Sequence, residues 1–577
     1  MRVLGICSDV WISSAALIED GRVIAAAPEE RFNRQKKYKD FPKNAVDFCL
    51  KKSGCALSNI DYIAIAWNPG RHIKRFNPRF SGRSRWRAEH LYAIPNNLMQ
   101  FFEDKGIEII EQNLRSKYME HKIIFVDHHM AHAANAFFLS PFKEAAILSA
   151  DGRGEEDTIL YAIGSGNKIE RIDSVRFPHS LGLFYGTFTE FLGFVPDSDE
   201  WKVMALSSFA DTKNNPYYEK MKKIIKFQNG QVELDLSYFS YYLYDQLYFY
   251  SEKLVKEFGE PRKTDSELTE RHYQIAGALQ AITEEVLEKC LNHLYEIVGS
   301  KNVVVSGGVF MNSVFNGKIT QRTRFEDMFI SSCPDDSGAS IGAALYVYNI
   351  KAKDAKREVQ SHNYYGPEFT NDEIKDILKK YKIVKEYKTN VEEYVAKAIA
   401  SGKMVGWFQG RMEFGQRALG NRSILCDPRD PKMKDKINSA VKYRESFRPF
   451  APSILEEYKL EYFDMPRNVS VPFMERVYVI NNEKQKTIPA VTHIDGTGRL
   501  QTVRKEDNPR YYRLIQEFQK ITGIPVVLNT SFNLNGEPIV CTPTDAIRTF
   551  YSCGLDMLVL GNYVIEKKMK ENQTTHE

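Results

Sequence analysis

Residues 123–147, IIFVDHHMAHAANAFFLSPFKEAAI, decide how this chain is read. Their apolar start, 123–126, has the composition of a buried strand and stops at Asp127, a residue type favoured at helix N-caps. The segment that follows has helical composition and holds His128, His129 and His132. His128 and His132 stand four apart, so a helix puts both imidazoles on one face, where two neutral nitrogens can grip one divalent metal; His129 points elsewhere. A second apolar strand, 145–150, ends in Asp151 at the head of Asp151-Gly152-Arg153-Gly154, which offers a carboxylate as third ligand. Taken alone, the histidine pair fits equally well a helix whose imidazoles only cap, pack or face solvent.

The same strand-and-turn plan occurs twice. Strands at 3–7, 13–19 and 23–27 form a meander, and the segment from 145 to 172 repeats it, with turns at 151–154 and 164–167. Two such units facing one cleft are how actin-like ATPases hold nucleotide phosphates, with backbone N–H groups lining the turns. Further along, 184–206 reads as an amphipathic helix, a turn, and then Glu200, Lys202 and Met204, and 272–294 as a long helix. The strand 303–305 opens into Ser306-Gly307-Gly308-Val309 and Asn312, where glycines let backbone approach an adenosine or a phosphate. After a strand at 329–332, Asp335 and Asp336 stand at the mouth of a helix, and either is a fourth metal ligand or simply the helix cap.

At 577 residues the chain exceeds one hydrophobic core, so at least two domains are expected. The polar stretch 351–363 reads as a linker between domains at 1–350 and 364–577. Lys plus Arg number 79 against 75 Asp plus Glu, a balance that does not announce a nucleic-acid or membrane-surface protein. Eight scattered cysteines without a C-x-x-C pair suit a reducing cytoplasm and leave no all-Cys zinc site. The start, MRVLGICSDVW, reads as a strand rather than a leader, and no run of about 18 apolar residues occurs, so a soluble cytoplasmic protein is expected.

In the second half a strand at 404–407 leads into 410–422, GRMEFGQRALGNR, where Arg411, Arg417 and Arg422 lie among glycines. Guanidinium forks converging where backbone leaves room suit a small anion such as phosphate. Lys442-Tyr443-Arg444, Arg448 in FRPFAP and Arg499 in DGTGR add to that charge. The strand 524–528 opens into Asn529-Thr530-Ser531-Phe532-Asn533, whose side chains can orient polar ligand groups. A separate basic run, residues 71–87, carries seven Lys or Arg interleaved with Phe76, Phe80 and Trp86, and fits a single anionic ligand better than nucleic acid.

Together the ordered motifs resemble the O-carbamoyltransferase family of nodulation-factor, cephamycin and tobramycin carbamoyltransferases, across nearly the whole chain. The resemblance rests on Glu29-Glu30-Arg31-Phe32 with Arg34 and Lys36, His128-His129-Met130-Ala131-His132, Lys202-Val203-Met204, and Gly307-Gly308-Val309 with Asn312. In the second half it rests on 414–424, 448–452 and 528–533 followed by Gly536-Glu537-Pro538. It implies an α/β protein whose actin-like (ASKHA) two-lobed amino-terminal domain is similar to the tRNA threonylcarbamoyl-transferase. That domain holds a divalent metal, often iron, mapped here to His128, His132, Asp151 and Asp336. It also implies a mixed α/β YrdC-like carboxy-terminal domain, whose tetrad looks like Lys442, Arg444, Ser531 and Asn533. This domain would convert carbamoyl phosphate and ATP, with Mg2+, to carbamoyl adenylate, and the first domain would pass the carbamoyl group to a hydroxyl of a small secondary metabolite such as a sugar or antibiotic.

On that resemblance Lys202, Arg417, Lys442 and Arg444 are the expected catalytic residues. Gly152, Gly307, Gly308, Asn312, Arg422, Arg448, Arg499, Asn529, Ser531 and Asn533 are expected to bind nucleotide or donor, in a possible homodimer without membrane or nucleic-acid partners. Competing readings are a tRNA-modifying transferase, a nucleotide-binding regulator without turnover, and a sugar kinase. The chain also departs from the pattern. Trp11-Ile12 replaces the usual His-Asp before the small-residue strand, Lys37-Tyr38 replaces a second His-Asp, and Ala205 and Ala210 replace glycines. An intact donor half beside an altered acceptor side points to an unusual, anionic acceptor met by 71–87. Replacing Arg75, Arg79 and Arg83 together by Ala is expected to raise the acceptor KM in a transfer assay and spare carbamoyl adenylate formation; equal loss of both refutes the assignment.

Overall fold

The computed structural model describes residues 1–69, 109–115, 120–210, 214–243, 246–445 and 447–567; the basic run 71–87 lies outside them. Two compact units result. One comprises Met1–Asn33, Lys37–Tyr365 and Glu475–Val477, the other Arg34–Lys36, Gly366–Met474 and Tyr478–Glu577. The stretch 351–363, expected as a linker, instead packs on the first unit: Arg357 donates to the carbonyls of Phe137, Ser140 and Gly166, and Gln360 is buried against Ser332.

The first unit contains two sheets of one design. In the first sheet β1 (Arg2–Cys7), β2 (Ser14–Glu19) and β3 (Arg22–Pro28) form an antiparallel meander, β4 (Tyr62–Ile65) lies parallel to β1, and the edge is completed by β5 (Ile109–Arg115) and β6 (Glu120–Val126), giving the order β3-β2-β1-β4-β6-β5. The second sheet contains the meander β7 (Glu144–Ala150), β8 (Asp157–Ser165) and β9 (Lys168–Arg176). A hairpin, β10 (Ile225–Gln228) with β11 (Gln231–Leu234), stands apart. Two parallel strands, β12 (Asn302–Ser306) and β13 (Asp327–Ile330), then extend the second meander to β13-β12-β7-β8-β9. Each sheet is thus a three-stranded meander continued by parallel strands, and this repeated order is the actin-like plan expected from the two meanders. Burial explains the composition. All but the first residue of β1 is enclosed, and the parallel strands β12 and β7 read as continuous apolar runs because both faces are covered.

The helix His128–Phe137 leaves the end of β6 and is buried along its whole length. It packs against the helix Asp336–Lys351, which leaves the loop after β13. The two approach closely because Gly342 has no side chain: a Cβ there would collide with the carbonyl oxygen of Ala131. Asn135, on the first helix, donates to Ser331 Oγ at 2.8 Å and to the Cys333 carbonyl at 2.7 Å, which ties that helix to the loop entering the second.

The second unit is built on a ten-stranded mixed sheet. Its centre runs Val405–Phe408, Arg422–Cys426, Val526–Ser531 and Ala451–Leu455, all mutually antiparallel neighbours. Period-two alternation sends Val405, Trp407 and Leu425 under the helices Val391–Ala400 and Pro509–Thr522, while Phe408, Ile424 and Cys426 meet Asn371–Lys380 and Pro543–Tyr551. Gly342→Val should disturb the helix crossing that both ends of the first unit share. The overpacking costs roughly 1–3 kcal/mol, so a clear fall in the unfolding midpoint of the full chain is expected by calorimetry; an unchanged midpoint contradicts the crossing described.

Candidate functional site

Parallel strands deliver the first unit's polar residues to one place. Asp127 follows β6, Asp151 follows β7, Gly307 follows β12 and the loop to Asp336 follows β13, and in open α/β sheets it is beyond the carboxyl ends of strands that ligands bind. Asp127 caps the helix it starts, accepting the Met130 N–H at 2.9 Å. The buried Glu155 carboxylate accepts the His128 N–H at 3.1 Å and the Asn68 N–H at 2.6 Å, which satisfies further free donors of that helix end.

On this frame His128, His132, Asp151 and Asp336 converge, 1%, 0%, 5% and 3% exposed respectively. His128 Nε2 lies 3.1 Å from His132 Nε2, 3.3 Å from Asp151 Oδ2 and 3.4 Å from Asp336 Oδ1; His132 Nε2 lies 3.2 and 3.3 Å from the same two oxygens. Metal–ligand bonds of ~2.0–2.1 Å at tetrahedral angles separate neighbouring ligand atoms by roughly 3.3 Å, which the separations above match. The chemistry of the donors agrees. His128 Nδ1 is 3.2 Å from the Ala66 carbonyl, which places the ring proton there and leaves the Nε2 lone pair facing the focus. Asp151 Oδ1 accepts the N–H groups of Gly152 at 2.8 Å and Gly308 at 3.0 Å, which turns Oδ2 inward.

Electrostatics make the same demand. Burial disfavours charge on His128 and His132, yet the two carboxylates override it and hold both imidazoles above their ordinary value, His128 well above. Burial likewise works against the carboxylate form of Asp151, and the paired imidazoles reverse that and hold it well below the usual range. Two buried negative charges therefore favour positive charge at this focus, which a divalent cation held with neutral imidazoles would supply. His129 plays another part. Its ring bonds Ser149 Oγ at 2.9 Å and the Asp157 carbonyl at 3.1 Å, and burial pushes it down to about 4. Asp335 faces the other way, accepting Ser337 Oγ at 2.5 Å, so of the two neighbouring aspartates only Asp336 faces the focus.

The flanks of this centre carry Trp11 and two carboxyl groups, Asp197 and Glu200. The Trp11 N–H reaches Asp336 Oδ2 at 3.4 Å, so the residue standing where an imidazole is usual adjoins the centre itself. Asp197 and Glu200 are pushed up to about 6 and about 7, in both cases mainly by burial, and so exchange protons near neutrality. Lys202 pairs with Asp199 at 3.0 Å and lies over Phe194. Gly307 adopts φ +92°, where a Cβ would strike the Ala150 carbonyl, whereas Asn312 is occupied by Gln280 and by capping Phe315.

The second unit gathers a basic cluster. Strand register pairs Ser423 with Ser531, Ala451 with Asn529 and Ser453 with Gln501, which brings Arg448, Arg499, Ser531 and Asn533 to one end of the sheet. Lys442, 4% exposed, donates to the Ser531 carbonyl at 2.6 Å, the Asn533 carbonyl at 3.0 Å and Asn533 Oδ1 at 2.8 Å. Burial, then Arg444 and Arg448, push Lys442 well below its ordinary value. Arg499 is lowered by burial and by Arg417, Arg444 and Arg448. Arg444 Nη2 and Arg499 Nε are buried without a hydrogen-bond partner among the described residues. So many like charges, with donors left over, describe the surroundings of an anion.

Two expected binding residues are tied into the unit by their surroundings. Arg422 is fully enclosed: its Nη1 and Nη2 groups donate to the carbonyls of Gln409, Gly410, Asn421 and Pro367, the guanidinium lies over Phe408, and Nε is buried without a hydrogen-bond partner among the described residues. The Asn529 amide N–H groups go to Ala418, Ser453 and Gln501, while its Oδ1 is buried without a hydrogen-bond partner among the described residues. Glu413, which sequence reading passed over, organises the same loop by accepting the N–H groups of Leu419, Asn421 and Arg422.

Residues 2–345 match the model of the carbamoyltransferase N-terminus and residues 396–567 that of the carbamoyltransferase C-terminus. The chain belongs to the carbamoyltransferase family. An uncharacterized protein of Synechocystis is 38% identical over 98% of this carbamoyltransferase and 97% of its own length. Nodulation protein NolNO of Sinorhizobium fredii is 36% identical over 96% of this chain and 79% of its own. The 3'-hydroxymethylcephem-O-carbamoyltransferase of Amycolatopsis lactamdurans is 32% identical over 50% and 53%. No helix among the described residues is long and apolar enough to cross a membrane.

Asp336→Asn should strip the divalent metal bound by the purified carbamoyltransferase, with affinity falling at least about a hundredfold, whereas Asp335→Asn should keep it. Metal content by mass spectrometry after dialysis decides, and equal retention by both variants removes the centre.

Proposed function

We propose that this carbamoyltransferase converts carbamoyl phosphate, ATP and water to carbamoyl adenylate, phosphate and pyrophosphate at the basic cluster of its second unit, and transfers the carbamoyl group from the adenylate to a hydroxyl of a small-molecule acceptor, releasing AMP, at the His128, His132, Asp151, Asp336 centre of its first. The observation that carries the reading is the pairing of two complementary sites in one chain: buried carboxylates and imidazoles spaced for a divalent cation, and buried cations with donors left over. Membership of the family supports the group transferred, and the name of one relative denotes O-carbamoylation of a hydroxymethyl group.

In the second unit, Arg417, Arg444, Arg448 and Arg499 supply the field that holds a phosphorylated donor, and the unspent N–H groups of Arg444 and Arg499 offer hydrogen bonds. Lys442, fixed by Ser531 and Asn533, presents its charge from a constant position. In the first unit, a divalent ion at the centre, iron by the family resemblance, would supply Lewis-acid polarisation of the carbamoyl carbonyl. Gly307 and Gly308 allow backbone to approach the adenylate, and Asp151 is kept in place by the Gly308 N–H. The acceptor hydroxyl must lose its proton; with Trp11 in place of an imidazole, the carboxylates that exchange protons near neutrality on this flank are Asp197 and Glu200.

Incubation of the metal-loaded protein with ATP and carbamoyl phosphate should give carbamoyl adenylate, detected by mass spectrometry. Lys442→Met should lower its rate by about tenfold or more, while His132→Ala should leave adenylate formation intact and abolish transfer to hydroxylated acceptors. Absence of carbamoyl adenylate from the unaltered protein defeats the reading.

A further inference from the structure

The turn 493–497 of the second unit holds an imidazole with no part in the chemistry above. His493 Nδ1 lies 3.0 Å from Thr497 Oγ1. The threonine hydroxyl has a single hydrogen, and it goes to Asp495 Oδ1 at 2.7 Å, since a carboxylate there can only accept. Thr497 Oγ1 therefore meets the ring as an acceptor, and Nδ1 carries the ring proton. Backbone bonds fix the arrangement: the His493 N–H donates to the Thr497 carbonyl at 2.8 Å, the Gly496 N–H to the His493 carbonyl at 3.0 Å, and the Thr497 N–H to Asp495 Oδ1 at 3.1 Å. Burial pushes the imidazole down to about 4, with Arg499 and Lys434 opposing the pull of Asp495, so the ring is neutral at physiological pH.

A neutral ring protonated at Nδ1 leaves Nε2 as a bare acceptor, and that atom is buried without a hydrogen-bond partner among the described residues. The ring is bonded to Thr497, and Thr497 and Arg499, two apart in the strand Thr497–Val503, share one face of the sheet, so it lies on the side that carries Arg499, one of the clustered arginines. Apart from Glu445, which pairs with Arg448 at 3.1 Å, the charged groups of that cluster are donors, which suits phosphate oxygens. A bare acceptor among them is of no use to a phosphate and fits only a ligand that brings its own N–H or O–H. Carbamoyl phosphate brings one: its amino group has two N–H bonds and no acceptor of consequence.

We propose that His493 Nε2 accepts an N–H of the carbamoyl amino group and so selects carbamoyl phosphate over other acyl phosphates. The proposal rests on the donor site assigned above and adds a specificity-determining residue to it.

Acetyl phosphate is the discriminating probe, because it replaces the amino group by a methyl of similar size. In calorimetric titrations of the full chain, carbamoyl phosphate should bind about ten- to a hundredfold more tightly than acetyl phosphate, as when a site built for a hydrogen bond meets an analogue without it. His493→Phe should bring carbamoyl phosphate down to the affinity of acetyl phosphate while leaving acetyl phosphate binding unchanged, which also shows that the fold survives. His493→Gln, whose Oε1 can take the place of Nε2, should retain part of the preference. The proposal is overturned if the unaltered protein binds neither ligand or shows no preference, or if His493→Phe weakens both ligands equally, as it would were the ring only a prop for Arg499. A preference that depends on His493 in a protein that forms no carbamoyl adenylate would overturn the proposed function and leave this inference standing.

Discussion

Two carboxylates enclosed within 3.4 Å of two imidazoles are the constraint around which the first unit is arranged. Burying Asp151 and Asp336 is unfavourable unless partners are brought to them, and the protein sets His128 and His132 beside them on a helix in which all ten residues are buried. Much of the surrounding structure serves that end: Asn135 binds the His128–Phe137 helix to the loop that carries Asp336, Gly342 lets the two helices touch, and the Gly308 N–H turns Asp151. The doubled sheet matters because it delivers three chain segments, far apart in sequence, to one end of parallel strands.

The second unit solves the opposite problem. Its cluster is positive, and burial, then the guanidinium groups of neighbouring arginines, push Lys442, Arg444 and Arg499 below their ordinary values. Lys442 is anchored on carbonyl and amide oxygens rather than on a carboxylate, so its charge is held in place without being cancelled. The cost of gathering such charges is offset when an anion arrives, and a site that is strained without ligand binds it more tightly. A transferase that takes its donor as a phosphate and its acceptor beside a divalent cation needs both kinds of surface, and the chain carries them on separate units.

Residues with similar sequence credentials turned out to have different work. Arg417, Arg422 and Arg499 all sit near glycines, yet four backbone carbonyls hold the Nη1 and Nη2 groups of Arg422, while Arg499 is lowered by burial and by the three arginines around it. Nothing in the local sequence separates them, because the carbonyls that capture Arg422 come in part from Pro367, which is 55 residues away. His493 was passed over for the matching reason: a lone histidine in a turn carries no signal until its ring is seen between Thr497 and the arginines.

What the sequence by itself determined was what short-range periodicity encodes: the two meanders, the four-residue spacing that aligns His128 with His132, the glycines after β12, and the order of motifs that marks the carbamoyltransferase family. These follow from local rules, since pleat, helical turn and turn residues are fixed by neighbours a few positions apart. Tertiary structure alone decided between Asp335 and Asp336, surrounded Arg422 with backbone carbonyls, packed 351–363 onto the first unit, and exposed the unsatisfied acceptor of His493. Each of those outcomes depends on which atom faces which across contacts tens to hundreds of residues apart, and the direction of a side chain toward a distant partner is not written in the residues beside it.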